Sequence, residues 1–117
     1  MLSGIVAVQG YEISQKAGVF FLKYSPQNQF KWHTDQGVLD EATGKYFNKT
    51  GLIYLNEGKG VGGTSFSHEG SRSARVHIQP KKGHMVVFDC GVSHCGNKTV
   101  TEKLALTFKL RLLSPGN

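Results

Sequence analysis

A histidine and an aspartate stand two positions apart in the stretch Trp32-His33-Thr34-Asp35. If this stretch is a β-strand, alternate side chains leave the same face, so His33 and Asp35 direct an imidazole and a carboxylate toward one point. Both groups are metal ligands, but two ligands do not complete a coordination sphere. The spacing therefore predicts half of a metal site, and a third ligand must come from elsewhere. Trp32 and Thr34 leave the opposite face and are predicted to be packing residues.

Among the five histidines, His94 is the preferred candidate for the third ligand. Lys103 follows it nine residues later, whereas no other histidine has a lysine or arginine at that distance. Two histidines and one carboxylate form the facial arrangement that suits Fe(II) and leaves positions for a bidentate ligand and dioxygen. A buried lysine paired with the far carboxylate of that ligand would complete a 2-oxoglutarate site. The remaining histidines are predicted to lie at the surface: His68, His77 and His84.

Short strands must position these groups, because apolar and alternating segments are separated by glycine-rich turns and no helical period is apparent. We predict strands at residues 4–13, 19–24, 30–35, 51–56, 64–67, 73–79, 84–89 and 100–113. We predict loops at residues 36–49 and 91–96. Short strands with turns at near-regular spacing indicate an all-β fold, a double-stranded β-helix (jelly roll) with few or no helices.

The last predicted strand divides its residues between two different faces. One face combines two lysines with small residues, namely Lys103, Ala105, Thr107 and Lys109. The other face is apolar and carries Leu104, Leu106, Phe108 and Leu110. A lysine on an inward face beside small residues is typical of a small-molecule pocket, and the alternative is an ordinary amphipathic strand with Lys103 in water.

Length and composition limit the fold and its partners. The 117 residues suit one domain with one core, so we expect residues 1–117 to be a single domain, in a minimal or truncated form. The net charge of +6 permits an anionic small molecule, an acidic protein segment or nucleic acid, but the basic residues are scattered and form no nucleic-acid tract.

Cys90 and Cys95 lack zinc or redox spacing and are predicted to be free thiols. We find no signal peptide or membrane-spanning segment, so the cytoplasm is the default expectation.

Several segments, taken in order, resemble the Fe(II)/2-oxoglutarate-dependent dioxygenases, and among them the prolyl 4-hydroxylase-like group. They span residues 19–111 and comprise Phe21-Leu22-Lys23-Tyr24, Phe30 to Asp35, Leu52 to Asn56, Gly62 to Phe66, Pro80 to Gly83, Phe88, and His94-Cys95-Gly96 with Lys103.

The resemblance implies an Fe(II) site formed by His33, Asp35 and His94. It implies that Lys103 binds the C5 carboxylate of 2-oxoglutarate and that Tyr54 hydrogen-bonds the same carboxylate. Thr107 would be a further support, and Tyr24 would line the site near co-substrate or substrate. Core packing with a satisfied hydroxyl is the alternative for both tyrosines.

The function implied is hydroxylation by a dioxygenase that uses 2-oxoglutarate and dioxygen, with ascorbate (vitamin C) as a further cofactor. The implied substrate is a prolyl residue in a peptide or protein, and the loop at 36–49 is a candidate to help hold it. Two alternatives stay open. A nucleic-acid demethylating dioxygenase is permitted by the net charge, but that group uses an arginine where this chain has Lys103. The other alternative is a non-catalytic jelly-roll binding module.

Members of this group usually begin with helices that cover the larger sheet, and this chain has almost no room for them. Leu104, Leu106 and Phe108 are therefore expected to lack a cover, and a second copy of the chain could pack there as a homo-oligomer.

Overall fold

The computed structural model describes residues 9–68 and 71–113. Within these ranges the chain forms eleven strands and no helix. The strands are β1 (Tyr11–Ile13), β2 (Val19–Tyr24), β3 (Phe30–His33), β4 (Val38–Asp40), β5 (Lys45–Phe47), β6 (Lys49–Tyr54), β7 (Thr64–His68), β8 (Ser71–Ile78), β9 (Met85–Asp89), β10 (His94–Gly96) and β11 (Lys103–Leu112). The described part of the chain has no helix that could cross a membrane.

The strands form two facing antiparallel sheets and a separate hairpin. The larger sheet has the order β1-β11-β6-β9, and β2 also pairs with β11. β2 pairs with the first half of β11 and β1 with its end, so both lie along the edge opposite β6. The smaller sheet has the order β3-β10-β7-β8, and β4 pairs with β5. This architecture confirms the predicted jelly roll without helices in the described residues.

The outer face of the larger sheet carries an apolar cluster around Phe108 and Leu110, whose side chains are 1% and 0% exposed. The Phe108 ring lies over Gly51 of β6, where a Cβ atom would come within 2.5 Å of the ring. The neighbouring side chains that pack against the cluster are Tyr11, Ile13, Val19, Ile53, Met85, Val87 and Leu106. The expectation that Phe108 lacks a cover is therefore wrong, because Gly51 leaves room for its ring against the sheet. Leu104 and Leu106 are half-buried.

Both predicted loops contain strands. Residues 36–49 hold the hairpin of β4 and β5, in register from Val38 opposite Phe47 to Asp40 opposite Lys45. The Asp40 carboxylate accepts hydrogen bonds from the Ala42 N–H and the Thr43 hydroxyl, which stabilises the turn. The charged residues that build this turn interrupt the apolar alternation, and this hid the strands from sequence reasoning.

The loop predicted at 91–96 contains β10, which is too short to show a period of two. The opening strand predicted at 4–13 is present as Tyr11–Ile13, and residues 1–8 lie outside the described part of the chain.

Replacing Gly51 by alanine should destabilise the protein by about 1–3 kcal/mol, because the new methyl group overlaps the buried Phe108 ring. Urea unfolding would measure the loss. Gly91→Ala is the matched control, since a Cβ atom there meets nothing within 4 Å, and its effect should stay below ~0.5 kcal/mol. Equal stability of the two variants would contradict this account of the outer face.

Candidate active site

His33, Asp35 and His94 converge where β3 meets β10. His33 ends β3, His94 begins β10, and the two residues are direct cross-strand partners. The backbone N–H of Asp35 donates to the carbonyl of Cys90 at 2.8 Å, which ties the segment after β3 to the end of β9. One ligand atom from each of the three residues lies within 4.8 Å of the other two. The structure thus brings together the three residues that the sequence singled out.

Both imidazoles are oriented through their Nδ1 atoms. His33 Nδ1 lies 2.6 Å from the carbonyl oxygen of Lys31, and His94 Nδ1 lies 2.8 Å from that of Val92. A carbonyl oxygen can only accept, so each Nδ1 carries a proton and each neutral ring keeps a lone pair on Nε2. The Nε2 atoms lie 3.5 and 3.6 Å from Asp35 Oδ1. Burial lowers the pKa of His94, which favours the neutral form that binds metals.

The second carboxylate oxygen of Asp35 has different partners. Thr50 Oγ1 donates to Oδ2 at 2.7 Å, and Lys109 Nζ lies 3.3 Å from the same atom. Burial raises the pKa of the Asp35 carboxyl, but the Thr50 hydrogen bond and the Lys109 charge outweigh it, so the pKa lies below its ordinary value. Asp35 is therefore an anion at neutral pH. Sequence reasoning placed Lys109 on the inward face but missed the contacts of Lys109 and Thr50 with Asp35.

Aromatic rings enclose the two histidines. The Phe88 ring of β9 packs edge-on against His94 at a centroid distance of 4.6 Å, and the Phe30 ring lies 4.3 Å from that of His33. Phe30 is 49% exposed, so its ring is at once beside a candidate ligand and open to solvent.

Lys103 is a second polar group between the two sheets, although it is only 2% exposed. No ion pair found within the described residues includes it, and its Nζ lies 4.9 and 5.8 Å from the ring centroids of Tyr24 and Tyr54. Burial lowers its pKa to about 8. A buried ammonium group facing aromatic rings rather than a carboxylate is suited to bind an anion.

The cavity between the sheets has a volume of about 180 Å³ and is lined by the three candidate ligands, Lys103, Tyr24 and Thr107, among others. Tyr54 is buried behind it, and its hydroxyl hydrogen-bonds the hydroxyl of the lining residue Thr64 at 2.7 Å. Burial raises the pKa of both tyrosines, so both hydroxyls keep their protons. The predicted contact between Tyr54 and a carboxylate stays a prediction.

The residues outside the cavity follow the sequence predictions except on β3. Trp32 is 40% exposed and Thr34 is also exposed, so the prediction of packing is wrong for both. These two side chains leave the face of β3 opposite His33, away from the cavity. His77 and His84 are exposed as predicted, and the side chain of His68 lies outside the described residues. The two cysteines are free and buried.

A family model for the 2OG-Fe(II) oxygenase superfamily matches residues 19–111, which is most of the chain. The chain belongs to this superfamily. The superfamily is named for 2-oxoglutarate, Fe(II) and oxygenase chemistry. A search among curated proteins finds no match.

Three solved structures show the fold in related proteins. A Pseudomonas putida prolyl-4-hydroxylase is 25% identical with a TM-score of 0.62, and the match covers 83% of this chain and 54% of that one. A viral collagen prolyl hydroxylase from Paramecium bursaria Chlorella virus-1 is 20% identical with a TM-score of 0.59, covering 92% and 63%. A Burkholderia pseudomallei oxidoreductase of the 2OG-Fe(II) oxygenase family is 14% identical with a TM-score of 0.66, covering 93% and 49%.

The superfamily match and the Pseudomonas structure confirm the resemblance to the prolyl 4-hydroxylase-like group. The chain corresponds to between about half and about two thirds of the length of these three proteins.

Replacing Lys103 by methionine should stabilise the ligand-free protein by ~1–3 kcal/mol at pH 7, because the buried ammonium group is desolvated without a carboxylate partner. Well below pH 8 the Lys103 amine is charged in the folded protein as well as in the unfolded chain. The folded wild type therefore carries the full cost of burying the charge at these pH values. As pH rises from about 8 to 10.5, the folded protein releases the Lys103 proton before the unfolded chain does. The free energy of unfolding of the wild type therefore increases and approaches that of Lys103→Met. Urea unfolding across this range measures both effects. A wild type as stable as Lys103→Met at pH 7 would contradict the interpretation that the buried charge of Lys103 destabilises the ligand-free protein.

Proposed function

We propose that this protein is an Fe(II)- and 2-oxoglutarate-dependent dioxygenase that hydroxylates a prolyl residue in a peptide or protein. One observation carries the enzyme class: a cluster of two histidines and a carboxylate shares a single cavity with a buried lysine that has no acidic partner among the described residues. Superfamily membership adds independent support.

His33, Asp35 and His94 would hold the Fe(II), and their donor set fits it. The two Nε2 lone pairs and Asp35 Oδ1 face one another, and the carboxylate is ionised. Two imidazoles and one carboxylate are the ligand set of Fe(II) oxygenases with open positions. When bound, the iron supplies the activation of dioxygen that couples decarboxylation of 2-oxoglutarate to hydroxylation of the substrate.

Lys103 would bind the C5 carboxylate of 2-oxoglutarate. The ammonium group is buried, so its attraction to a carboxylate is little screened by water. Thr107 and Tyr24 line the cavity and have hydroxyl groups to offer the same ligand, whereas Tyr54 would contribute through its contact with Thr64. The anion would neutralise the Lys103 charge, which has no carboxylate partner in the described part of the chain.

The prolyl substrate is supported by the 25% identity to the Pseudomonas enzyme and by the surface around the cavity. Phe30 offers a half-exposed ring beside His33, and aromatic rings are the surfaces on which proline-rich segments dock. The hairpin of β4 and β5 begins three residues after Asp35 and presents Leu39 and Tyr46, which are 39% and 58% exposed. It is the segment best placed to hold a peptide.

Nucleic-acid demethylation receives less support, because the cationic residues that line the cavity are Lys103 and Lys109, with no arginine among its described lining residues. The assay described next distinguishes an enzyme from a non-catalytic binding module.

The protein should release succinate when it is supplied with Fe(II), 2-oxoglutarate and dioxygen, and His94→Ala should lower the rate at least 100-fold by removing a metal ligand. The assay measures succinate with and without ascorbate, because the ascorbate requirement is itself a prediction. Lys49→Met is the control, since Lys49 pairs with the exposed Asp89 and is not part of the cavity lining. Unchanged turnover in His94→Ala would overturn the metal assignment, and a protein that binds neither Fe(II) nor 2-oxoglutarate would be a binding module.

Proline-containing peptides should gain the mass of one oxygen when incubated with the protein and its co-substrates, with the modification on proline. Mass spectrometry of a peptide library measures this, and the same peptides with proline replaced by alanine are the control. Modification of methylated oligonucleotides instead would contradict the prolyl substrate and favour the nucleic-acid alternative.

A further inference from the structure

Asp35 uses its two oxygens for different purposes. Oδ1 faces the Nε2 atoms of both histidines, whereas Oδ2 is turned to Thr50 and Lys109 on the larger sheet. The last two side chains also contact each other, with Lys109 Nζ donating to Thr50 Oγ1 at 2.9 Å. The three groups form a closed triangle of hydrogen bonds.

We propose that Thr50 and Lys109 are positioning residues that clamp Oδ2 of Asp35 and thereby present Oδ1 alone to the metal. The inference rests on the proposed function and extends it to two residues that bind neither metal nor co-substrate in that proposal. A carboxylate that rotates freely can offer either oxygen, or both, to a metal. A carboxylate whose one oxygen is held by hydrogen bonds offers only the other oxygen. The clamp would therefore fix the ligand atom and preserve the remaining coordination positions for 2-oxoglutarate and dioxygen.

The surroundings of the clamp support this role. Thr50 is 3% exposed and stands on β6, while Lys109 stands on the paired strand β11 directly opposite it. Asp35 itself follows a strand of the other sheet, so the clamp fastens a residue of the smaller sheet to the larger one. Neighbouring strands in register hold the two donors at a fixed separation, which a surface ion pair on a loop would not achieve.

A surface ion pair without function is the alternative explanation of Lys109. Its side chain is 21% exposed and that of Asp35 is 18% exposed, so neither group is at the open surface. Lys49 provides an internal comparison: it is 22% exposed in its side chain, but its partner Asp89 is 63% exposed and does not line the cavity. The two lysines have similar burial and differ in whether their partner is a candidate metal ligand.

The first test measures Co(II) binding to Thr50→Val, which keeps the shape of the side chain and removes only the hydroxyl donor. We expect ~10–100-fold weaker binding and an altered absorption spectrum of the bound Co(II), because the carboxylate is no longer held in one orientation. Thr50→Ser restores the hydroxyl and should restore both readings. Thermal unfolding checks that Thr50→Val is folded. Wild-type affinity and spectrum in folded Thr50→Val would overturn the role of Thr50.

The second test compares Lys109→Met with Lys49→Met, again by Co(II) binding. Removing a positive charge near a cation site would by itself strengthen metal binding. A loss of affinity in a Lys109→Met variant that thermal unfolding shows to be folded therefore cannot come from charge and is explained by the lost hydrogen bond to Asp35. We expect at least threefold weaker binding in Lys109→Met and no change in Lys49→Met. Equal or tighter binding in Lys109→Met would overturn the role of Lys109.

The two levels of the proposal fail differently. If the wild-type protein binds no Co(II), the metal site and the proposed function fail together. If the wild type binds Co(II) and both Thr50→Val and Lys109→Met bind it equally well, the proposed function stands and the clamp alone is wrong.

Discussion

The pairing of His33 with His94 across β3 and β10 is the constraint on which the candidate site depends. Because side chains alternate along a strand, a slip of one residue in this ladder would turn one imidazole out of the cavity. The register also fixes Asp35, which follows β3 and is tied by its backbone to Cys90. The site is therefore specified first by main-chain hydrogen bonds and only then by side chains.

The sequence predicts the parts of this protein that rest on alternation. The long strand β11 and the face that carries Lys103 follow from a period of two, and His33 and Asp35 follow from their spacing. The hairpin of β4 and β5 could not be predicted in this way, because the polar residues that stabilise its turn, Asp40 and Thr43, are equally typical of a loop. Thr50 could not be found either, since its importance comes from the pairing of β6 with β11 and from a carboxylate fifteen residues away. The role of each candidate site residue stays a prediction.

The two faces of β11 bury different kinds of side chain. Its outer face buries Phe108 and Leu110, which contributes stability in the ordinary way. Its inner face buries Lys103 beside aromatic rings and holds Lys109 against Asp35, which costs solvation of two charges. The apolar packing on one face thus offsets the cost of burying polar groups on the other.

Lys103 and Lys109 also belong to one uninterrupted strand that is hydrogen-bonded along both edges. Under the proposed function, Lys103 binds the anion at one end of the cavity, and Lys109 on the same strand contacts the metal ligand Asp35 near the other end. Lys103 and Lys109 cannot approach each other without breaking pairs with β2 or β6. In that proposal, a dicarboxylate one methylene longer or shorter than 2-oxoglutarate would have to give up its contact at one end, so the fixed spacing along β11 would help to select the length of the acid.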